Sequence, residues 1–350
     1  MNRKRIFAII LAAAVVALLA WQFHHSPEWR QFSWRAVWTA TQNAEGWYIA
    51  GSVVLIYASY VIRAWRWQGL MEPGGRFWPV LKGTVIGFTG TALLGRAGEL
   101  VRPYYIARKH GSELSPQLSV WLLERVFDMF GIVLLLSLDL GLSPRIHLLT
   151  RDAGYAEAFR RAGILMSAGI AFLIVLLYVF HVRAPKLLAR LRPRAEARRQ
   201  RLRRRVVHFL QALADGLSAL TNSAKLLKTI FYTVVLWVVV ALSIWAVVRA
   251  YPAMLPGFSF TEGVLLMTLT AIGAVATLPA VGGGFQVLTI FGLVQVFGAD
   301  SAAATSAALV VWLVCFYAVA PFGAALATHE GVSWRGIERA AYATEAAEER

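Results

Sequence analysis

"LLGRAGELVRPYYIARKHG", residues 93–111, decides how this chain is read. Gly95, Gly98 and Pro103 punctuate it, and Arg96, Glu99, Arg102, Arg108 and Lys109 charge it. Yet it directly follows "PVLKGTVIGFTGTALLG" (79–95), a run greasy enough to enter a membrane and rich in Gly83, Thr84, Gly87, Thr89, Gly90 and Thr91. Small residues let helices approach closely in lipid. Irregular backbone at membrane depth persists only where protein or a watery cavity covers it. The stretch therefore predicts a hairpin that turns at Gly95–Gly98 and returns through "ELVRPYYIARKHG", with Pro103 near the start of the return helix or as a kink within it.

The rest of the chain supports a membrane setting. Of 350 residues, 58% are hydrophobic and 15% charged, against about a quarter charged in soluble domains; mean hydropathy is +0.58. Apolar runs cover 6–23, 47–62, 115–142, 163–182, 229–248, 259–278, 285–298 and 303–327, and most reach the roughly 17–25 residues that a bilayer crossing needs. No soluble catalytic domain is left over. "NRKR" before residues 6–23 resembles a signal peptide, but "WQFHHSPEW" offers no small-x-small cleavage site, so an uncleaved signal-anchor helix is expected. Cys315 is the single cysteine and excludes an intrachain disulfide framework.

Charge sets the orientation. The formal charge is +16, and residues 183–205 hold eleven Lys/Arg against one acid, Glu196. By the positive-inside rule that loop is cytoplasmic. Working outward, 95–114, the 63–82 connection (Arg63, Arg66, Arg76 and Lys82, with Glu72) and both termini also fall inside, while 24–46 falls outside. Parity then requires 79–94 to enter and leave on one side, as a re-entrant segment does. Val206, Leu210, Leu213, Leu217 and Leu220 give the connector one apolar helical face, suited to lie on an anionic inner leaflet. The expected fold is all-α: a polytopic helix bundle of about six full spans with two broken-helix hairpins, multi-pass in the plasma (inner) membrane. It divides into 1–182, a connector 183–228, a second half 229–328 and a tail 329–350.

The second break is "TLPAVGGGFQVLT" (277–289), in which Pro279 precedes Gly282, Gly283 and Gly284 between apolar flanks. Setting Gly95 against Gly282 places Glu99 opposite Gln286. One hairpin opens from inside and the other from outside, the pattern of inverted repeats that frame a central substrate site. The alternative is that these glycines serve tight helix packing alone.

"SVWLLERVFDMFGIVLLL" (119–136) puts Glu124, Arg125 and Asp128 inside an apolar span. Counted from Ser115 at 1.5 Å per residue, Glu124 lies about 14 Å deep, where an unpaired charge costs on the order of 2.5–3.5 kcal/mol. Arg125 reaches Asp128 at i,i+3, and the trio's net charge of −1 leaves one carboxylate for Arg96, Arg102 or a proton. The cluster can be a structural staple, a headgroup site, or both. Arg96 and Arg102 flank the break, where guanidinium forks match phosphate oxygens. Trp29, Trp34, Trp38, Trp47, Trp65, Trp67 and Trp78 flank the second span like an interfacial belt and receive no substrate role. His24, His25 and His110 lack metal-ligand spacing; no nucleophile triad, phosphate loop or dinucleotide fingerprint occurs. No metal, cofactor or nucleic-acid partner is expected.

"LLGRAGELVRPYYIARKHG", "WLLERVFDMFGIVLLL" and "LPAVGGGFQ" together resemble the lysylphosphatidylglycerol synthase transmembrane-region family, the flippase-like domain proteins, from about residue 45 to 335. The resemblance implies a membrane domain that moves lipids with polar headgroups between leaflets. It implies a polar hairpin at Gly95, Arg96, Gly98, Glu99 and Arg102, an acidic–basic helix at Glu124, Arg125 and Asp128, and a second hairpin at Pro279, Gly282, Gly283 and Gly284. Many members continue that second hairpin with glycine and then glutamate, whereas this chain reads "GGGFQ" and places Gln286 there. The tail "AAYATEAAEER" follows the last span closely, so lysyl transfer by this chain is not expected. The leading expectation is a non-enzymatic lipid flippase whose partners are membrane lipids. A small-solute permease, a lipid-modifying enzyme with Glu99 or Glu124 as general base, and a structural partner protein stay open.

Overall fold

The computed structural model describes residues 33–71, 75–112, 114–142, 223–274, 277–278 and 282–332, with isolated positions between 161 and 183. The expected signal-anchor at 6–23, nearly all of the 163–182 span, the basic loop and amphipathic face of 183–222, Pro279 and the tail from 333 lie outside the described residues. Within them the protein is all-α apart from two β-rungs, and the elements follow one another as helices α1 to α10. These are α1 (Trp34–Gln42), α2 (Gly46–Leu70), α3 (Phe77–Leu94), a 3-10 turn (Gly95–Leu100), α4 (Val101–His110), α5 (Leu114–Leu142) and α6 (Ser223–Arg249). After them come α7 (Phe260–Gly273), β1 (Thr277–Leu278), β2 (Gly282–Gly283), α8 (Gly284–Phe291), a π turn (Gly292–Val296), α9 (Ser301–Trp312), a second π turn (Leu313–Tyr317) and α10 (Ala320–His329).

Among the described residues three stretches are long and apolar enough to cross a membrane: α2, α6, and Ser301–His329, which joins α9 to α10. The protein is a multi-pass membrane protein. Helix α5 matches them in length at 29 residues and carries the intramembrane charges. The second hairpin's legs are shorter, Phe260–Gly273 and Gly284–Val296.

Helices α2 and α6 form the most extensive pair and run antiparallel. At one end the Glu45 N–H donates to the Ala250 carbonyl at 2.8 Å, and two turns further in Ser52 Oγ donates to the Ser243 carbonyl at 2.9 Å. At the other end Arg66 meets Thr233. Among the buried positions of α2, Ser52, Ile56, Ser59, Arg63, Arg66 and Leu70 follow one stripe at steps of three and four, and Tyr60, Ile62, Ala64 and Trp67 widen the buried face toward its second half. That face overrides an expectation. The span does not stop near residue 62, and Arg63 and Arg66 do not belong to a cytoplasmic connection; the helix continues to Leu70 and buries both. Opposite charges on α5 permit this. The 24–46 segment also holds more than a loop: α1 packs on α9 through Thr41 Oγ1 and Ser306 Oγ, 2.6 Å apart, and leaves Trp34 and Trp38 exposed.

The first hairpin is built on missing side chains. Helix α3 ends at Leu94 because Gly95 takes φ 63°, ψ −142°, a backbone that disfavours any Cβ. The return leg lies so close that a Cβ on Gly98 would overlap the Gly90 carbonyl, and one on Gly87 would sit 2.5 Å from Arg102 Cβ. Pro103 is the third residue of α4, inside the first turn where its missing N–H costs no helix bond. At the second break β1 and β2 pair antiparallel, with Thr277 opposite Gly283 and Leu278 opposite Gly282. Gly283, at φ 111°, then feeds α8. Gly282 and Gly283 therefore form a two-rung antiparallel ladder with Thr277 and Leu278. It closes against α7, where a Cβ on Gly273 would overlap the Gly284 carbonyl.

The last span links the two breaks. Phe316 in its π turn meets Phe285 of α8 edge-on at 5.1 Å, while the neighbouring Tyr317 hydroxyl donates to the Ala92 carbonyl at 3.2 Å. At its far end Glu330 accepts from Lys82 and pairs with Lys109, both at 2.6 Å, tying both legs of the first hairpin to the end of α10.

Two predictions follow from these contacts. Gly98→Ala should destabilise the fold by about 1–3 kcal/mol, as overpacking does; its thermal melt in detergent should fall well below that of Gly51→Ala, a helical position of α2 where a Cβ meets open space. The Lys109 and Lys82 ammoniums hold the Glu330 carboxyl down at about 2, from an ordinary 4.5. A depressed carboxylate contributes stability that is complete above its unfolded pKa and disappears as pH falls through the folded one. Between pH 5 and pH 2 the wild-type melt should therefore drop more steeply than that of Glu330→Gln.

Candidate functional site

Five helices meet around a buried group of charges. Arg63, Arg66 and Trp67 stand at i, i+3 and i+4 on α2, so they share a face. Glu124 and Asp128 stand at i and i+4 on α5 and face them; Arg102 arrives from α4, Phe88 from α3, and Thr233 and Trp237 from α6. Glycines set the spacing. Gly87 admits the stem of Arg102, and Gly131 admits α6, since a Cβ there would lie 2.5 Å from Trp237 and 2.7 Å from Thr233.

Arg66 is the centre. Its Nη2 donates to Asp128 Oδ1 at 2.7 Å and lies 3.3 Å from Glu124 Oε1, while its Nη1 donates to Thr233 Oγ1 at 3.1 Å. Arg66 and Glu124 have no solvent exposure. Arg102 Nη1 donates to Glu124 Oε2 at 2.7 Å, and its Nη2 to the Arg63 carbonyl at 3.2 Å. The Arg102 guanidinium also stacks 4.1 Å over the Trp67 ring, a contact worth about 0.5–2 kcal/mol when desolvated. Trp67 is fixed in turn by donating Nε1–H to Gln117 Oε1 at 3.0 Å. Arg125 Nη2 approaches Asp128 Oδ2 at 3.5 Å, the i,i+3 pair expected on one helix.

Arg63 is held differently. Its Nη1 lies 3.7 Å from Asp128 Oδ2, beyond hydrogen-bond reach, and its guanidinium sits between the Phe88 ring at 5.0 Å and the Trp237 ring at 5.7 Å. Among the described residues no group accepts from Arg63 Nε, Trp237 Nε1 or the nearby Tyr60 hydroxyl, and all three atoms are buried. Four arginines (63, 66, 102 and 125) thus face two carboxylates (124 and 128), a formal net of +2. Chemically this is an anion site: fork-shaped donors are in excess, and both carboxylates are committed to arginine.

The profile of the lysylphosphatidylglycerol synthase TM region family matches residues 6–323. The chain belongs to that family. Its match spans the helices that carry the ion cluster and both breaks, and it places the protein among membrane proteins linked to lipids. No curated protein and no solved structure matches the chain.

For this family member the cluster draws together Arg102, Glu124, Arg125 and Asp128 from the residues that the sequence singled out. It draws in Arg63, Arg66 and Trp67 as well, which the sequence reading placed at the membrane border. The stripe of α2 that continues Ser52 and Ile56 runs through Ser59, Arg63, Arg66 and Leu70, and that period was the available signal. Trp67 is fully buried, whereas Trp34, Trp38, Trp47 and Trp78 are exposed as belt residues are. Glu99 lies half-buried on the 3-10 turn with Arg96 and forms no ion pair among the described residues. Gln286 belongs to the second break, where its Oε1 accepts the Gly283 N–H at 2.6 Å. His110 accepts the Arg76 N–H at Nε2, 3.0 Å away, which gives it a structural place.

Removing one partner of a buried pair costs about 3–5 kcal/mol, because the other charge is left exposed to oil. Arg102→Met should therefore lower the melting temperature strongly. Arg102→Met combined with Glu124→Gln should recover much of the loss, and a double-mutant cycle in detergent measures that coupling.

Proposed function

We propose that the protein moves an amphiphile with a phosphate-bearing headgroup between leaflets, without altering it covalently. The observation that carries this reading is the cluster's surplus of arginine, a buried net of +1 from Arg63, Arg66 and Arg102 against Glu124 and Asp128 with the part-exposed Arg125 beside it, in which the Arg63 side chain has no hydrogen bond to satisfy it. Isolated charge at this depth is expensive. A surplus of arginine suits a passing phosphate, whose oxygens accept what Arg63, Trp237 and Tyr60 donate.

Half-crossings supply the path. The legs α7 and α8 with its π turn contain 14 and 13 residues, about 20 Å each, and the ten residues of α4 reach about 15 Å, against ~30 Å of hydrocarbon. Such legs suit two re-entrant hairpins, one in each half of an inverted repeat, with the last span's π turn between their tips. The acyl chains stay in lipid while the headgroup passes the arginines. No nucleotide-binding fingerprint occurs in the sequence, so transport is passive or ion-coupled. Glu124 and Asp128 are both occupied by arginine, which argues against either as a general base. The basic ends of α2 and α6 lie side by side and face the cytoplasm in this reading, with both chain termini on that side.

The test is a headgroup-flipping assay with fluorescent phosphatidylglycerol in liposomes. Arg63→Gln removes a cation that makes no hydrogen bond and is in surplus over the two carboxylates, so its melt should fall less than that of Arg102→Met. Flipping should slow by at least about tenfold, equivalent to about 1.4 kcal/mol of barrier. Unchanged flipping in Arg63→Gln, or saturable uptake of a water-soluble anion in its place, would sink the proposal.

A further inference from the structure

The last span lies against the first hairpin from tip to base. Near the tip the Tyr317 hydroxyl donates to the Ala92 carbonyl at 3.2 Å. Further along, Thr89 Oγ1 donates to the Val319 carbonyl at 3.4 Å, and Gly323 leaves room for that threonine, which a Cβ there would overlap. At the base the Glu330 carboxylate is shared: Oε1 accepts from Lys82 of α3, and Oε2 pairs with Lys109 Nζ of α4, each at 2.6 Å. Arg108 Nη1 adds a long contact to the Gly331 carbonyl at 3.5 Å. One carboxylate at the end of α10 therefore grips both legs of the hairpin.

Those legs are joined closely enough to form one body. A Cβ on Gly83 would sit 2.8 Å from Ile106 and 2.9 Å from Tyr105, and Gly87 and Gly98 repeat the close approach nearer the tip. Apolar contact supplies little attraction between helices in lipid, so ion pairs carry much of what fastens this body to its neighbours. Helix α4 has such a pair toward each end: Arg102 with Glu124 in the buried cluster and, two turns on, Lys109 with Glu330. Their surroundings differ. The Arg102 and Glu124 side chains are buried, whereas those of Lys82 and Lys109 are 42% and 37% exposed. Water can solvate an ammonium that leaves Glu330, while Arg102 in leaving would strand a buried carboxylate. The outer contact is the one that can open.

We propose that Glu330 is the latch of a gate: its two ion pairs hold the base of the first hairpin shut, and their release lets the base swing out about the tip. The structure is the latched state, in which Arg66 and Glu124 have no exposure and Arg63 little. Arg102 stays on Glu124 near the pivot as the Lys109 end moves. The swing parts Tyr105 and Ile106 from the apolar cluster they share with Trp67, Leu70 and Val120, and so opens the hairpin side of the buried arginines. The latch rests on these contacts alone; that the open gate admits a phosphate-bearing headgroup rests on the transport reading above.

Hydrogen exchange of the full chain in nanodiscs reads the latch. Glu330→Gln should speed exchange of the α4 amides by about tenfold or more while α2 and α6 keep their wild-type rates, the mark of a local opening. Lys82→Gln/Lys109→Gln should do the same from the other side of the contact. Unchanged α4 exchange in both variants overturns the latch, and so does an equal rise across α2 and α6, which is general loosening. A reversible lock reads the gate. Lys82→Cys/Glu330→Cys in a Cys315→Ser background, bridged by a short bis-methanethiosulfonate, should flip fluorescent phosphatidylglycerol at least about tenfold more slowly than after dithiothreitol cleaves the bridge. Equal rates before and after cleavage, in a protein that flips, overturn the gate. Local α4 release in a wild-type background that flips no lipid supports the latch and defeats transport; flipping with neither local release nor dependence on the lock does the reverse.

Discussion

The Arg66 guanidinium between Glu124 and Asp128 is the contact on which the arrangement depends. A charge carried into hydrocarbon loses its hydration, and only a partner of opposite sign at hydrogen-bond distance offsets that loss. Arg66 meets this condition with two carboxylates and the Thr233 hydroxyl at once. It thereby fastens α2 to α5 and α6. The helix that holds Arg66 can then run on through residues that would otherwise have to stay in water. Arg102 repeats the solution from the first hairpin, so the hairpin's position relative to the spans is set by an ion pair and by the Trp67 face beneath it.

Pairing alone would bring these groups together only if the backbones allowed it. Helix association in lipid has little hydrophobic drive, so close approach relies on small residues. Gly87 and Gly98 act where a Cβ would push the two legs of the first hairpin apart, and Gly131 where one would push α6 away from α5. The charges and the glycines are thus two parts of one device: the first supply the attraction, the second the distance at which it is strong. The surplus of arginine over carboxylate that remains leaves guanidinium donors at the centre beyond what the staple uses.

The two breaks solve the same problem by different local means. Gly95 ends α3 and a 3-10 turn carries the chain over, while the Gly282–Gly284 run forms two β-rungs whose first helical N–H groups include one satisfied by Gln286. Both also pack on the π turn of the last span, where the wider helical turn aims Phe316 at one break and lets Tyr317 reach the other.

Composition and hydropathy by themselves determined that the chain is a multi-pass helical membrane protein. The glycine and proline spacings located both breaks to within a few residues, because only special backbone geometry tolerates those residue types inside apolar runs. The charges of α5 announced a buried polar centre for the same reason: three ionisable groups in an apolar span require partners. Tertiary structure alone decided who the partners are. Arg63 and Arg66 look like ordinary flanking cations, since charge near a span's end carries the same composition whether it faces water or turns inward. The helix's buried stripe and the carboxylates across from it, which are non-local facts, move those two arginines from the membrane border to the centre of the site.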